Sequence, residues 1–216
     1  IIAARSRAFY DTMTVHMYNN LDDGDIFYTL DGDIPNRNAN VYKKPFLINE
    51  STVIKAVVSN TDTISSHVET LSFHKMPFRV AINYQIPYSK TYTAGGKNGL
   101  FDSIRGAKNS WGAWQGWEGK HFDAIIDLGS KRDIKSVTAT FLQNPGSWIW
   151  LPKSVMFYSS ENGKEFVEYE VKKHNVPLNN YEPQIVDFSQ IINNPVRYIK
   201  IKAKNILECP DWHPGA

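Results

Sequence analysis

The stretch from Trp111 to Gly129 constrains the fold more than any other part of the chain. It opens with three tryptophans spaced three residues apart among glycines, and it continues as a segment in which apolar residues recur at every second position. Those apolar positions are Phe122, Ala124, Ile126 and Leu128, and we expect the glycine at 129 to end the segment. A period of two is typical of a β-strand with one buried face. The stretch therefore predicts a Gly-rich loop of aromatic residues carried by a stiff strand, within a β-sandwich.

The rest of the chain is also patterned for strands, in two blocks. In residues 1 to about 75 the strands are short, as where Ile26, Tyr28 and Leu30 would share one face before the Asp31-Gly32 turn, which indicates a small Ig-like sandwich. From residue 78 onward about eight further predicted strands fit a β-sandwich jelly roll. Proline ends a strand and stiffens a short link, so Lys75-Met76-Pro77 predicts the boundary. We therefore expect an all-β chain with domains at residues 1–76 and 77–216.

Composition excludes several classes of function. The formal net charge is +2 and no basic run exceeds Lys131-Arg132, which is too little positive charge for a protein that follows a phosphate backbone, so nucleic acid is not expected as a partner. The single cysteine, Cys209, allows no internal disulfide. No stretch approaches 18 apolar residues, so we expect no membrane span. The 13% of aromatic residues is high and requires a place in the fold or in a binding site.

A motif in the first block carries a family resemblance. The run from Asp25 to Pro35 contains Tyr-Thr-Leu-Asp-Gly, and Tyr42, Pro45 and Val53-Ile54-Lys55-Ala56 follow it. Residues 8 to 75 thereby resemble the small fibronectin-III-like domain that follows the catalytic barrel in bacterial β-N-acetylhexosaminidases and chitobiases. This region shows no cluster of aromatic or ligand-type side chains, and a spacer is the plain interpretation of it.

The second block resembles the discoidin, or coagulation factor 5/8 type C, domain, which has a galactose-binding-like jelly roll. The matching pieces are Gly99-Leu100-Phe101-Asp102, Trp114-Gln115-Gly116, Ile126-Asp127-Leu128-Gly129, the run from Ser159 to Phe166 and Arg197-Tyr198-Ile199-Lys200-Ile201. In glycosidases this domain often serves as a family 32-like carbohydrate-binding module. The Trp148-to-Pro152 loop and the tail from Cys209 to Gly215 look like the version attached to family 20 hexosaminidases.

Two departures from the discoidin pattern matter. Family members normally have one more strand after this tail, so we expect the domain at 77–216 to lack its last strand and to expose strand edges. Asp102 is followed by Ser103 where the family usually has glycine. Members often bind a structural calcium at this turn, with a glutamate from the final strand among the six to eight oxygens that calcium needs. The resemblance therefore implies a possible structural calcium at Asp102, and no cofactor is otherwise required.

Catalytic motifs are missing from the sequence. Family 20 glycosidases use an adjacent Asp-Glu pair, and this chain contains no such dipeptide, nor HExxH, GxSxG or a phosphate loop. We therefore expect no enzyme activity in this chain. The resemblance implies a non-catalytic accessory region of a β-N-acetylhexosaminidase or chitobiase-like glycoside hydrolase that is periplasmic, at the cell surface or secreted. The expected partners are a glycan with GlcNAc- or galactose-type sugars and the parent's own catalytic domain.

Candidate sugar ligands are loop residues of two kinds, because an exposed aromatic ring stacks on the apolar face of a sugar and polar side chains bond its hydroxyls. The candidate stacking residues are Trp111, Trp117, Trp148, Trp150 and Trp212, with Trp148 and Trp150 expected on one side of an extended segment. The candidate polar residues are Arg105, Asn109, His121, Asn144 and His213. Trp114 is assigned to the core. For every other ring, packing between loops stays open as an alternative, and a loop His or Asn more often serves a turn. The competing function is a purely structural module that packs on the catalytic barrel through these rings and binds no sugar.

Overall fold

The computed structural model describes residues 2–3, 6–19, 24–59, 66–109 and 111–216, except for the side chain of Trp111. The chain divides into two compact units. The first consists of Ile1–Pro77 with Leu100–Ile104, and the second of Phe78–Gly99 with Arg105–Ala216. Regular structure in both units consists of β-strands and three short 3-10 helices. The prediction of an all-β chain is therefore confirmed.

The first unit is a sandwich of two sheets. Its strands are β1 Ile2–Ala3, β2 Ala8–Phe9, β3 Met13–Met17, β4 Asp25–Thr29, β5 Asn40–Val41, β6 Phe46–Ile48, β7 Thr52–Ser59 and β8 Glu69–Lys75. One sheet has the order β1-β3-β6 and the other β2-β8-β7-β4-β5, antiparallel except where β2 pairs with β8. Side chains of both sheets, such as Val15, Ile54 and Phe73, meet in one apolar core because alternate residues of each strand point inward.

The second unit contains the strand from which the sequence analysis began. Its strands are β9 Ala81–Tyr84, β10 Phe122–Arg132, β11 Ser136–Gln143, β12 Ser154–Ser160, β13 Val167–Glu168, β14 Gln184–Ile191 and β15 Val196–Lys204. An antiparallel five-stranded sheet of order β13-β12-β15-β10-β9 faces the pair β11-β14. Rings of β10 and β11 meet between the two sheets, as Phe122 lies edge-on to Phe141 at 6.4 Å. The 3-10 helices span Gly96–Phe101, Trp111–Ala113 and Pro145–Ser147.

Strand interiors follow the predicted alternation, whereas some strand ends do not. Phe122, Ala124, Ile126 and Leu128 are all buried, as predicted for β10. The expected end at Gly129 is wrong, because β10 continues to Arg132 after a shift in its register with β15. Gly129 has a φ of +78°, which a glycine adopts without strain, so the residue bends the strand without ending it. Leu30 lies beyond the end of β4 and is exposed, so it does not share the buried face of Ile26.

Candidate functional site

The segments that contain the ten predicted sugar-binding residues leave the sheet of the second unit at one end. Phe122, at the start of β10, pairs with Ala203 near the end of β15, and Ser154, at the start of β12, pairs with Lys204. The segments 85–121, 144–153 and 205–216 therefore leave the sheet at the same end, and the ten residues lie in these segments. We call this region the loop end. Segment 173–183 joins it, because β14 begins opposite the last residue of β11.

A buried histidine holds part of the loop end together. The Nε2 of His213 lies 2.9 Å from the carbonyl oxygen of Pro145, and its Nδ1 accepts the backbone N–H of Gly215 at 3.1 Å. Since Nδ1 accepts, the ring proton is on Nε2 and is donated to Pro145. Both ring nitrogens are thus engaged by the main chain, and His213 is buried. In this arrangement His213 fixes two loops against each other and has no nitrogen left for a sugar hydroxyl.

Four aromatic rings surround the His213 imidazole. Tyr181 stacks parallel to it at 6.2 Å, and Trp150 lies edge-on at 5.2 Å. Trp148 and Trp212 contact it edge-on at 6.3 Å and 5.8 Å. We call Trp148, Tyr181 and Trp212 the aromatic platform, because these three rings are exposed, by 66%, 49% and 47%. All three platform rings contact His213, and Trp150 packs against the same imidazole.

The loop that carries Trp148 differs from the extended segment expected from the sequence. Pro145–Ser147 form a single 3-10 turn, and Asn144 and Ile149 close the loop by exchanging backbone hydrogen bonds of 2.8 Å and 3.1 Å. Trp148 ends the turn with a φ of 56°, in the left-handed region. The expectation that Trp148 and Trp150 lie on one side of an extended segment is therefore wrong. The turn leaves the Trp148 ring exposed, whereas the half-buried Trp150 donates its indole N–H to the carbonyl of Leu178 at 3.1 Å.

Indole hydrogen bonds separate the tryptophans into two groups. The N–H groups of Trp114 and Trp117 donate to the carbonyls of Ala107 and Ile86, at 3.0 Å and 2.9 Å, as that of Trp150 does to Leu178. Across the described residues, the indole N–H groups of Trp148 and Trp212 donate to no protein atom. The side chain of Trp111, the sixth tryptophan, lies outside the described residues. A buried N–H needs a partner whereas an exposed one is free for a ligand, so the second group has the properties of a binding surface.

Trp117 belongs to a chain of packed rings. It contacts Phe122 edge-on at 4.7 Å and lies 6.1 Å and 6.2 Å from Tyr84 and Tyr88. Burial raises the pKa of Tyr84 to about 12, because its effect is larger than that of the hydrogen bond with Gln115, which lowers the pKa. Tyr84 thus stays a neutral phenol. Trp117 is therefore packed between loops, which was the alternative to its predicted contact with a sugar.

The remaining polar candidates have mostly structural partners. Arg105 bonds both carboxylate oxygens of Asp187, at 2.9 Å and 3.0 Å, and the Thr140 hydroxyl donates to the same carboxylate at 2.7 Å. The bonds from Thr140 and then from Arg105 hold the pKa of Asp187 below its usual value. His121 accepts the backbone N–H of Asn205 at 3.2 Å. Asn109 is an exposed turn residue whose side chain makes no hydrogen bond among the described residues.

Asn144 lies beside the aromatic platform. Its side chain makes no capping bond to the 3-10 turn that follows it, and its amide has no protein partner within the described chain. A half-exposed amide next to Trp148 can donate to one hydroxyl and accept from another. Among the predicted polar candidates, Asn144 is therefore the one that both lies at the platform and keeps its hydrogen-bonding groups free.

Asp102, the predicted calcium ligand, is buried and locally bonded. Its Oδ1 accepts the backbone N–H of Ile104 at 2.8 Å, and its carbonyl accepts the N–H of Arg7 at 2.8 Å. Burial raises the pKa of Asp102, which disfavours the charged form that binds calcium. In the described parts of the chain, no three His, Cys, Asp or Glu side chains form a metal cluster. Among the described residues Asp102 therefore belongs to no cluster of three acidic side chains, and calcium binding stays a prediction.

Tyr181 was not predicted, although it completes the aromatic platform. It lies in the polar segment Asn179-Asn180-Tyr181-Glu182-Pro183, just before β14. A large aromatic residue between turn formers is the signal that could have identified it, as it did for the tryptophans. Its role depends on contact with His213, which is 32 positions away in the sequence and adjacent only in the fold.

Comparisons with known proteins agree with this architecture. The model of the F5/8 type C domain family matches residues 85–216, more than half of the chain, and the model described as Fn3 associated matches residues 15–73. These two matches confirm the discoidin and fibronectin-III-like resemblances. No curated protein sequence matches. Within the described residues, no helix is both long and apolar enough to span a membrane.

The solved structures that match this chain include three that are less than 20% identical to it. The C-terminal domain of a chitobiase from Bacteroides fragilis is 19% identical, with a TM-score of 0.29 over 46% of this chain and 57% of that one. CBM32-1 from a family 31 glycoside hydrolase of Clostridium perfringens is 16% identical, with a TM-score of 0.34 over 60% and 85%. A SusE-like protein is 13% identical, with a TM-score of 0.39 over 93% and 88%. The match spans little more than half of the chitobiase chain.

Proposed function

The chain belongs to the F5/8 type C domain family, and from that premise we propose that it is a non-catalytic, carbohydrate-binding accessory region of a glycoside hydrolase. The observation that carries the proposal is the aromatic platform of Trp148, Tyr181 and Trp212. These three rings are exposed, although the other described tryptophans are bonded through their indole N–H groups to the main chain.

The platform offers what a sugar requires of a protein surface. The C–H face of a sugar ring is apolar and packs on an aromatic ring, whereas the hydroxyls at its edge need hydrogen-bond partners. Exposed indole rings provide the first, and the Asn144 amide, the Trp212 indole N–H and the Tyr181 hydroxyl provide the second. Because all three rings pack against the buried His213, little conformational entropy is lost when a ligand binds.

Residues 8 to 75 suggest the parent protein. This region resembles the domain that follows the catalytic barrel in β-N-acetylhexosaminidases and chitobiases, and it overlaps the Fn3-associated match. We therefore assign the parent to this class of hydrolase, with its catalytic domain as a partner and GlcNAc- or galactose-type glycans as ligands. Such an enzyme would be periplasmic, at the cell surface or secreted.

Sugar titration tests the proposal. A glycan array identifies a ligand, and calorimetry with GlcNAc and galactose then measures its affinity. Replacing Trp148 and Trp212 together by alanine should raise the Kd at least about tenfold, since each ring contributes a stacking contact of roughly 1 kcal/mol besides its buried area. Ile191→Ala is the control, because Ile191 is exposed by the same 66% as Trp148 but lies at the far end of β14.

The competing structural function gives a different result. If the platform only anchors this region to a catalytic barrel, no glycan will bind the isolated chain at millimolar concentration. The Trp148→Ala, Trp212→Ala double variant would then weaken association with the catalytic domain instead. Saturable sugar binding that the double variant retains in full would also overturn the proposed site.

A further inference from the structure

The aromatic platform has the layout of a site for more than one sugar ring. We infer that it binds a neutral oligosaccharide across at least two successive sugar rings, in preference to a single terminal sugar; this inference rests on the proposed function. One exposed indole is enough to stack one sugar ring, and the platform has two exposed indoles that do not touch each other.

The two indoles are held apart by the histidine between them. Trp148 and Trp212 both lie edge-on to the buried His213 ring, at interplanar angles of 70° and 71°. No ring contact joins Trp148 to Trp212 or to Tyr181 among the described residues, whereas Tyr181 and Trp212 contact each other at 6.2 Å. The platform is therefore two surfaces, the Trp148 ring and the Tyr181–Trp212 pair. A ligand that covers only one of them leaves the other in water, so a longer ligand gains the second contact.

Polar groups accompany both surfaces. The Asn144 amide is four residues before Trp148, at the start of the same turn. The Trp212 indole N–H and the Tyr181 hydroxyl have no protein partner in the described chain and stand at the second surface. Each sugar ring would thus find both an aromatic face and a hydrogen-bonding group, which is what makes two subsites comparable in strength.

The charges that adjoin the platform rings in the sequence disfavour anionic ligands. The segments 144–152, 177–183 and 205–216 contain Glu182, Glu208 and Asp211 and no lysine or arginine. Glu182 and Asp211 directly adjoin Tyr181 and Trp212, and all three carboxylates are exposed. A sulfated sugar, a uronic acid or an anionic membrane surface would meet like charge beside Tyr181 and Trp212, whereas the nearest lysines along the chain, Lys153, Lys173 and Lys204, lie outside these three segments. The ligand class that fits is therefore a neutral oligosaccharide.

Affinity as a function of oligosaccharide length tests this inference. Calorimetry of the full chain with GlcNAc, chitobiose and chitotriose should show the Kd falling about tenfold or more from the single sugar to the trisaccharide. Trp148→Ala and Trp212→Ala should each remove most of that gain. Trp212→Tyr should keep it, since a ring remains, and Ile191→Ala should leave the whole series unchanged. Thermal unfolding of each variant identifies any loss of affinity that comes from misfolding.

The outcomes distinguish this inference from the proposed function. Equal affinity for one and three sugar rings overturns the two-surface inference and leaves sugar binding intact. Tighter binding of a uronic acid disaccharide than of chitobiose overturns the neutral ligand class. If an array of neutral glycans yields no ligand of any length, the proposed function fails and this inference fails with it.

Discussion

At the scale of single residues, one backbone angle separates two similar tryptophans. Trp148 and Trp150 differ little in their sequence surroundings, yet Trp148 has a φ of 56° and is exposed, whereas Trp150 is half-buried and bonded to Leu178. Non-glycine residues in the left-handed region are uncommon and strained, and they concentrate at functional sites. Trp148 is one of three such residues in the described chain, with Ser103 and Leu207, and it presents the most exposed ring of the aromatic platform.

Gly215→Ala should displace Trp148 without unfolding the protein. A Cβ at position 215 would overlap the Nε1 edge of the Trp148 indole. Because that edge is the end of an exposed side chain, the ring can move, and the free energy of unfolding should change by no more than about 0.5 kcal/mol. Sugar affinity should fall about threefold or more in calorimetry. Gly112→Ala is the matched control, since its Cβ would meet no atom within 4 Å. Wild-type affinity in Gly215→Ala would show that Trp148 does not contact sugar.

At the scale of secondary structure, β10 shows what the sequence could predict. Alternation identified the strand and its buried face correctly, because burial of every second side chain is a local property of the pattern. Its end could not be predicted, because continuation past Gly129 depends on pairing with β15, about 70 positions away. The platform shows the same limit: loop tryptophans were identifiable, but their contact with His213 and Tyr181 arises only in the fold.

The register shift beside Gly129 is stabilised by an ion pair that depends on pH. Arg197 on β15 donates to both carboxylate oxygens of Asp127 on β10, each at 2.9 Å, and these bonds hold the pKa of Asp127 below its usual value. A lowered pKa means that the folded state binds this proton less tightly than the unfolded state. The stability that results is present above the ordinary aspartate pKa of about 4 and is lost as the pH falls through the lower folded value.

Asp127→Asn should therefore reduce stability at pH 7 and have less effect in acid. Urea unfolding at pH 7 and near pH 3 measures the free energy of unfolding of the variant and of the wild type. We expect the difference between these two free energies to be smaller at the lower pH. Asp133→Asn is the control, because it makes the same change of charge at an exposed residue with no ion pair among the described residues. The free energy of unfolding of this variant should differ from that of the wild type by the same amount at both pH values. If the loss of unfolding free energy in Asp127→Asn is the same at both pH values, the role of the ion pair is contradicted.

At the scale of the whole molecule, charge is distributed unevenly. The chain has 24 Lys and Arg against 22 Asp and Glu, yet the only charged residues in segments 144–152, 177–183 and 205–216 are acidic. Part of the positive charge lies on β15, where Lys200 and Lys202 lie 3.8 Å and 3.7 Å from Asp123 of β10. The slight positive net charge therefore says nothing about the binding surface, and the composition alone could not have predicted the ligand class.

Binding of a neutral sugar at the aromatic platform should be nearly independent of salt. Stacking and neutral hydrogen bonds do not involve net charges, so screening has no attraction to weaken, even when the Debye length shortens from about 10 Å at 0.1 M to about 3 Å at 1 M. We expect the Kd for chitotriose to change less than about twofold over that range. Asp211→Lys provides the comparison, because it places a cation beside Trp212. This variant should bind a uronic acid disaccharide at low salt, and that binding should disappear at high salt. A steep loss of chitotriose affinity with salt in the wild type would mean that charged groups outside the aromatic platform hold the ligand.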